Sequence, residues 1–183
     1  MTNEQELSFD ELYTTHFKPI YNYVYYRVHN NAVADDLTAQ IFERALRHFG
    51  QYQPAKAPFV VWLFTIARRV VQSYIRRQRL IQWLPLDSFR EAHTQHNPET
   101  VVLAQIEQQA LLAALRELSQ REQEIITLKF VAGLNNRQIA QISSLSESNV
   151  GTIAARSLLK LRRSLSQFQG VTNVEKTTPT LSH

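Results

Sequence analysis

Arginine side chains recur along the segment 58–79 at the spacing of one side of an α-helix. The members of this basic side are Arg68, Gln72, Arg76 and Arg79, with Arg69, Ser73 and Arg77 beside them. A guanidinium group donates several hydrogen bonds to phosphate oxygens, so this side is suited to contact the backbone of a nucleic acid. The alternative is a solvated arginine face on an ordinary core helix. The segment by itself leaves both interpretations open.

The sequence contains no recognisable catalytic or metal-binding arrangement. No nucleophile lies in a pattern with a base and an orienting group, and no glycine-rich loop is present to hold phosphates. The 183 residues include no cysteine, which excludes disulfides and cysteine-ligated zinc or iron–sulfur sites. His93 and His96 are spaced like a metal-binding pair, but no third ligand accompanies them. We therefore predict a binding protein rather than an enzyme, with no cofactor and no metal.

The net charge of +4 hides an alternation of acidic and basic blocks along the chain. Residues 1–50 carry a charge of −3, residues 51–82 carry +6, residues 83–118 carry −3 and residues 119–168 carry +4. Two contacts with a polyanion, separated by a spacer, would produce this pattern. The N-terminus lacks a signal-peptide core, and no apolar run reaches the roughly 20 residues that span a bilayer. We expect a cytoplasmic protein without membrane insertion of its own.

Apolar residues at helical spacing predict three helices that would hold the basic side in place. The first begins at Ser8 with a capping box and contains Pro19, which should kink it. The second covers about 32–49 and is followed by Gly50, which suits a left-handed C-terminal position. The third is 58–79. Its core-facing stripe consists of Phe59, Trp62, Leu63, Ile66, Ala67, Val70 and Tyr74.

The second half of the chain predicts a separate group of helices. Residues 81–100 have no clean period and are interpreted as a linker. Four helices are predicted within 101–166, one of them capped by a second capping box at Ser119, and the last two form a helix-turn-helix. Residues 167–183 are predicted to be a disordered tail. The predicted fold class is all-α, with two small helical domains, 8–80 and 101–166, joined by an extended linker.

The exposed side of the predicted helix-turn-helix carries hydrogen-bonding and basic side chains. Ala140 should sit where the paired helices approach closely, and Val150 should anchor the second helix against the first. The candidate DNA contacts are Arg137, Ser148, Asn149, Thr152, Arg156, Lys160 and Arg163. These side chains suit base edges and phosphates in a major groove. A three-helix core with a polar surface would look similar, so this pattern alone does not decide the function.

Taken together, the two blocks resemble a bacterial RNA polymerase sigma factor of the sigma-70 family. The resemblance is to the short extracytoplasmic-function (ECF) group, which has only regions 2 and 4. It rests on ADDLTAQIFERALRHF at 34–49, PFVVWLFTIARRVVQSYIRR at 58–77 and LSQREQEIITLKFVAGLNNRQIAQISSLSESNV at 118–150. The most specific feature is W-L-x-x-I-A-R at 62–68 after a D-D-L-x-x-Q-x-F helix. The resemblance implies that 8–80 is region 2 and that 101–166 is region 4.

The resemblance also implies partners and roles for individual residues. Core RNA polymerase would be bound through the clamp helices of its largest subunit and through its flap, and an anti-sigma factor is expected as a further partner. The residues implied in core-polymerase binding are Asp35, Asp36, Gln40, Phe42, Glu43 and Arg44. Those implied in recognition and melting of the −10 promoter element are Tyr52, Lys56, Arg68, Arg69, Gln72 and Arg76. The helix-turn-helix would read the −35 element with the seven candidate contacts named above.

The chain departs from the family pattern at four positions. Arg69 stands where relatives often carry Asn, and Ser144 stands where they usually have Gly in the helix-turn-helix turn. The recognition helix commonly reads V-K-S-R, whereas here Gly151 and Ile153 replace both cationic side chains. We therefore predict altered or weaker binding to the −35 element. More of the phosphate contact should fall to Arg156, Lys160, Arg162 and Arg163.

The leading hypothesis is a sigma factor, which has no catalysis of its own. The alternative is a helix-turn-helix transcriptional regulator, in which 118–165 binds duplex DNA and 1–80 forms a sensing or dimerising domain. Promoter-specific initiation with purified core polymerase distinguishes the two, since only a sigma factor supports it without another specificity subunit.

Overall fold

A computed structural model describes residues 8–83 and 102–175 of the chain. Every regular element in these two ranges is helical, which confirms the all-α prediction. The longer helices are α1 (Phe9–Val28), α2 (Asn31–His48), α3 (Phe59–Trp83), α4 (Val102–Arg116), α5 (Gln120–Ile126), α6 (Asn136–Ser143) and α7 (Glu147–Glu175). A single 3-10 turn (Phe49–Gln51) follows α2, and a π-helical turn (Thr127–Val131) follows α5. The predicted linker residues His93 and His96 lie outside the described ranges.

The ends of α1 and α2 show where local sequence signals succeed and where they fail. The backbone of Ser8 is extended (φ −66°, ψ 130°), but its side chain makes no capping hydrogen bond, so the predicted capping box is absent. Helix α1 continues through Pro19 and ends at His29, which adopts the left-handed conformation (φ 56°). The Asn30 side chain then caps α2 by accepting a hydrogen bond of 3.0 Å from the Val33 N–H. The predicted break between the two helices is therefore confirmed.

Gly50 and the end of α3 differ from the prediction. Gly50 lies inside the 3-10 turn Phe49–Gln51 rather than at a left-handed helix end, because the backbone passes from α2 straight into this narrower helical turn. Helix α3 begins at Phe59, one residue after the predicted start at Pro58, and continues beyond Arg79 to Trp83. Pro58 immediately precedes the helix, and its carbonyl oxygen accepts hydrogen bonds from the N–H groups of Val61 and Trp62.

The buried surface of α3 is wider than the stripe predicted for it. Four of the seven predicted residues are buried and three are half-buried: Phe59, Leu63, Ala67 and Val70 in the first group, and Trp62, Ile66 and Tyr74 in the second. Phe64 and Val71 are in addition fully buried. The ring of Phe64 packs against Tyr23 of α1 with centroids 5.5 Å apart. Helix α3 buries this second side because it contacts α1, α2 and α6 together.

The second half forms the predicted helix-turn-helix. Both Ser119 and Asn135 make complete capping boxes, at the start of α5 and of α6. Ser144 ends α6 in the left-handed conformation (φ 58°, ψ 41°), and α7 begins three residues later, at Glu147. The predicted contact residues Ala140 and Val150 are 8% and 0% exposed. Helix α7 extends to Glu175, whereas a disordered tail was predicted from residue 167.

The two halves of the molecule pack against each other. Helix α6 contacts α3, and the turn Thr127–Val131 contacts α1. Residues Leu134, Ile139 and Ile142 belong to the same buried cluster as the core of the first half. Within the described residues, the two helical groups therefore share the larger hydrophobic cluster, while a second, smaller cluster lies within the second half and consists of Ala114, Leu115, Leu118, Ile126 and Leu161.

Candidate nucleic-acid interface

The basic side of α3 is only partly open to solvent. Arg69 and Arg76 are exposed, whereas Arg68 and Gln72 are half-buried and contact the Glu124 side chain of α5. The Glu124 Oε1 accepts hydrogen bonds from Arg68 Nε at 2.8 Å and from Gln72 Nε2 at 3.1 Å. The Glu124 side chain is only 6% exposed. Two of the six predicted −10 contacts are thus engaged with a carboxylate of the other half.

A cleft of about 280 Å³ opens beside this contact, between α3 and α5. Its charged lining residues are Arg27, Arg68, Arg76, Arg79, Arg121 and Glu124. Glu124 is the only carboxylate among the described residues that line it. The cleft is therefore strongly positive, which favours phosphate groups over basic protein surfaces.

Tyr52 closes the short loop in front of α3. Its hydroxyl donates a hydrogen bond of 3.1 Å to the Ala57 carbonyl oxygen, and its ring lies 5.4 Å from Phe59 and 5.2 Å from Trp62, between centroids. Burial raises the pKa of the Tyr52 phenol. Only part of the ring remains accessible for stacking on a base. Lys56, in the same loop, is exposed.

The outer surface of α2 carries most of the predicted polymerase contacts. Asp35, Asp36, Gln40, Glu43 and Arg44 are all exposed. Glu43 forms an ion pair with Arg47 one turn along the helix. This surface is therefore available to a partner, with mixed charge.

Phe42 departs from this pattern because it is buried, with 5% of its surface exposed. Its ring packs against Tyr13 of α1, with centroids 4.6 Å apart, and against Phe17 at 6.1 Å. Phe42 thus supports the surface from below rather than belonging to it. Tyr13, Phe17 and Leu46 are instead 42%, 39% and 58% exposed. These three side chains belong to apolar runs that are wider than one core-facing stripe, so part of each run stays at the surface.

All seven candidate −35 contacts lie on the solvent side of α6 and α7. Thr152 Oγ1 donates to the Ser148 carbonyl oxygen at 3.0 Å, and the Asn149 N–H donates to Ser146 Oγ at 3.2 Å. Lys160 Nζ lies 2.6 Å from Glu122 Oε1. The Lys160 ammonium is the main cause of a lowered pKa for the Glu122 carboxyl. The surface is polar at the beginning of α7, and its cations Arg156, Lys160 and Arg163 lie further along the helix, a combination suited to base edges and phosphates.

Within 8–83 and 102–175 no group of three His, Cys, Asp or Glu side chains is placed to hold a metal ion. No helix in those ranges is both long and apolar enough to cross a bilayer.

Comparison with known families matches both halves of the chain. A Sigma-70 region 2 model matches residues 12–81, and a Sigma-70 region 4 model matches residues 108–161. The ECF RNA polymerase sigma factor BldN of Streptomyces coelicolor is 34% identical over 159 residues, covering 86% of this chain and 60% of BldN. The RNA polymerase sigma factor YlaC of Bacillus subtilis is 27% identical over 163 residues, covering 87% of this chain and 93% of YlaC.

Solved structures share the fold. The sigma factor RpoE of Bartonella quintana, solved with the anti-sigma factor NepR, superposes with a TM-score of 0.68 at 19% identity, covering 86% of this chain and 96% of RpoE. CnrH, solved with the cytosolic domain of CnrY, gives a TM-score of 0.67 at 21% identity, covering 87% and 88%. The chain belongs to the sigma-70 family of RNA polymerase sigma factors, in its extracytoplasmic-function group. The resemblance read from the sequence is thereby confirmed.

The residues that join the two halves are the ones that sequence reasoning missed. The polar contacts between α5 and the first half involve Arg27, Gln120, Gln123 and Glu124. In the sequence, Glu124 and the glutamines look like ordinary polar positions of a capped helix, and no local signal marks them as contact residues.

Proposed function

We propose that this protein is a promoter-specificity subunit that binds core RNA polymerase, reads the −10 and −35 elements and stabilises the melted strand. One observation carries the proposal: a single chain combines a basic helix behind a loop with an exposed helix-turn-helix, each in the half that matches the corresponding sigma region. Its work is binding, and it acts in the cytoplasm, where core polymerase and promoter DNA are found.

The first half provides the −10 contacts. Lys56, Arg69 and Arg76 are exposed cations on the loop and on α3, and they are placed to hold the phosphates of an unpaired strand. Arg68 and Gln72 would add contacts once α5 no longer covers them. The accessible part of the Tyr52 ring would stack on a base next to this track.

The helix-turn-helix provides the −35 contacts. Ser148, Asn149 and Thr152 lie in the first turns of α7, where side chains of a recognition helix reach base edges. Arg137, Arg156, Lys160 and Arg163 supply positive charge around them for phosphates. Since Gly151 and Ile153 contribute no charge, sequence-independent contacts should make up a large share of the affinity.

Core polymerase would dock on the exposed surface of α2, with Asp35, Asp36, Gln40, Glu43 and Arg44 facing the clamp helices of the largest subunit and Phe42 supporting them. The second half would face the flap. An anti-sigma factor is a further expected partner, since RpoE, which shares this fold, was solved with one.

Transcription from purified components tests the proposal. The protein and core polymerase alone should produce promoter-specific transcripts from genomic fragments. If transcription changes only when a resident sigma factor is also present, the protein is a helix-turn-helix regulator instead.

A salt titration of open-complex formation tests the basic side of α3. The triple variant Arg68→Ala, Arg69→Ala, Arg76→Ala should form fewer open complexes and show a flatter salt dependence, by up to about one unit of log–log slope for each phosphate that no longer has a cationic partner. Lys18→Ala removes an exposed cation from α1 and is the control. An unchanged slope in the triple variant would show that these arginines do not touch phosphates.

A further inference from the structure

The cleft between α3 and α5 is lined by five arginines that come from three helices. Helix α1 contributes one of them, α3 contributes three and α5 contributes one: Arg27; Arg68, Arg76 and Arg79; and Arg121. With Glu124 as the one carboxylate among the described lining residues, the lining carries a net charge of +4. Like charges gathered around one small cleft repel one another, and an anion between them removes that repulsion. The cleft therefore has the charge of a binding site for a small polyanion.

Arg27 has the greatest need of a negative partner. It is 5% exposed, and a buried arginine is normally paired with an acid. Its guanidinium donates instead to three neutral oxygens, the Gln120 carbonyl, Gln120 Oε1 and Gln123 Oε1, at 3.2, 3.1 and 3.2 Å. Its Nε is buried without a hydrogen-bond partner among the described residues. These hydrogen bonds satisfy part of the guanidinium but bring no negative charge to it.

The size of the cleft limits the ligand to a small molecule. Its volume of about 280 Å³ lies just below the range of roughly 300 to 1,000 Å³ that is usual for small-molecule sites. Arg68 and Arg79 are eleven residues apart on α3, which places their backbones about 16 Å apart along the helix axis. A single phosphate cannot contact guanidinium groups that start so far apart. A short chain of phosphates can, because every unit of the chain carries negative charge and acceptor oxygens.

The lining offers little to a nucleobase or to a large organic group. Ile75 is the only apolar residue among the described lining residues, and none of them is aromatic. Stacking on an aromatic ring is the usual way in which a protein holds a base, so the phosphates must supply most of the affinity here. We propose that this cleft is a binding site for a short oligophosphate, either inorganic or at the end of a nucleotide, held by the five arginines.

The site is separate from the function proposed above. Arg27, Arg79 and Arg121 belong to none of the predicted promoter or polymerase contacts, and only Arg68 and Arg76 are shared with the predicted −10 surface. Variants at the first three positions therefore test the oligophosphate site without removing a predicted DNA contact. Arg79 and Arg121 are exposed, so their substitution should leave the fold intact.

Isothermal titration calorimetry of the full-length protein with sodium triphosphate measures binding directly. The buffer contains about 0.15 M NaCl and no Mg²⁺, since the metal would neutralise part of the ligand charge. Triphosphate should bind at least about tenfold more tightly than inorganic phosphate at matched ionic strength. ATP is the second arm of the experiment. Tighter binding of triphosphate than of ATP identifies the inorganic chain as the preferred ligand, tighter binding of ATP identifies a nucleotide, and both results support the site.

A matched pair of double variants locates the bound ligand. Arg79→Ala with Arg121→Ala should weaken triphosphate binding at least about tenfold, because two charge-assisted contacts are lost. The control is Lys18→Ala with Arg77→Ala, which removes the same charge from exposed positions of α1 and α3 outside the described lining. It should weaken binding less than about twofold, since salt screens charges that do not contact the ligand.

Thermal unfolding provides a second readout for the buried arginine. A ligand that binds only the folded chain raises the midpoint of unfolding. Triphosphate should raise this midpoint in the wild type and in the control double variant, but not in Arg27→Met. If Arg27→Met does not fold, the exposed double variant still decides the question by calorimetry.

Three results would overturn the site. The first is equal binding of phosphate and triphosphate, which indicates an adventitious ion only. The second is an equal loss of affinity in both double variants, and the third is the absence of both binding heat and a thermal shift in the wild type. If triphosphate does not bind but a random-sequence single strand loses affinity in Arg79→Ala with Arg121→Ala, the cleft is an extension of the DNA surface instead. Failure of promoter-specific transcription with core polymerase would contradict the proposed function and leave the triphosphate result unchanged.

Discussion

His29 should make the stability of the folded protein depend on pH in the mildly acidic range. It ends α1 in the left-handed conformation, and its Nδ1 is buried without a hydrogen-bond partner among the described residues. Burial, followed by the nearby charges of Arg116 and Arg27, lowers its pKa from 6.5 to about 4. The C-terminal end of a helix normally favours a protonated histidine. Here burial and the two arginines outweigh that preference.

The sign and size of the effect follow from the pKa difference. Below pH 6.5 the unfolded chain takes up a proton that the folded protein refuses until about pH 4, so the free energy of unfolding falls through this window as the pH drops. The full shift would correspond to about 3.4 kcal/mol at 1.36 kcal/mol per pKa unit. Because His29 is only half-buried, solvent screening reduces the expected loss to about 2 kcal/mol.

Urea unfolding followed by far-UV circular dichroism measures this loss. The free energy of unfolding would be compared at about pH 7 and about pH 4.5 for the wild type, for His29→Asn and for His48→Asn. Asn tolerates the left-handed conformation, so His29→Asn should fold and should lose about 1.5 kcal/mol less than the wild type between these two pH values, because part of the full loss appears only as the pH falls through the folded pKa. His48 is exposed at the end of α2 and is the control. The reasoning fails if His29→Asn loses as much stability as the wild type, or if His48→Asn behaves like His29→Asn.

Three further predictions concern helix ends and glycine, and thermal or urea unfolding measures each. Ser119→Ala removes a complete capping box and should cost about 1 kcal/mol, whereas Ser8→Ala removes no capping bond and should cost little; equal losses would contradict the structure. Ser144→Gly should stabilise by about 1 kcal/mol because φ is 58° there, and a destabilised variant would show that the left-handed turn is absent. Gly151→Ala should stabilise by about 0.5 to 1 kcal/mol, because Ala is a better helix former than Gly and the new Cβ, 3.4 Å from Asn136 Nδ2, lies at the edge of ordinary contact. A net loss of stability would mean that Asn136 cannot adjust.

The sequence predicts the helices well because their signals are local. Periodic apolar residues located α1, α2 and α3, and the capping box at Ser119 was recognisable from a few neighbouring positions. The fold class and the family are therefore predictable from the order of the residues. The failures at Ser8 and Gly50 show the limit, since a capping pattern permits a hydrogen bond or a turn without requiring it.

What the sequence could not predict is the contact between its two halves. Burial of Phe64 and Val71 depends on helices that lie far along the chain, and the stripe inferred for α3 accounted for only part of its buried surface. The half-burial of Arg68 likewise depends on Glu124, which is 56 residues away. Periodicity shows which sides of a helix are apolar, but it does not show which other helix will cover a polar one.

Phe42 shows the same limit at the proposed polymerase surface. Its position in the family motif assigned it to a docking face, whereas its burial beneath Tyr13 and Phe17 makes it part of the support for that face. A motif records that a residue type is needed at a position. It does not distinguish a side chain that touches the partner from one that positions its neighbours.

The shared core has a consequence for how the molecule unfolds and evolves. Ile139 and Val150 of the helix-turn-helix lie in the same buried cluster as Ile20 and Leu63. A small helical domain with its own core would melt independently, but here unfolding of either half exposes apolar surface of the other. Heat should therefore unfold the free protein in one cooperative step. Substitutions in the helix-turn-helix that reach this core would then lower the resistance of the first half to proteolysis, although they lie far from it in the sequence.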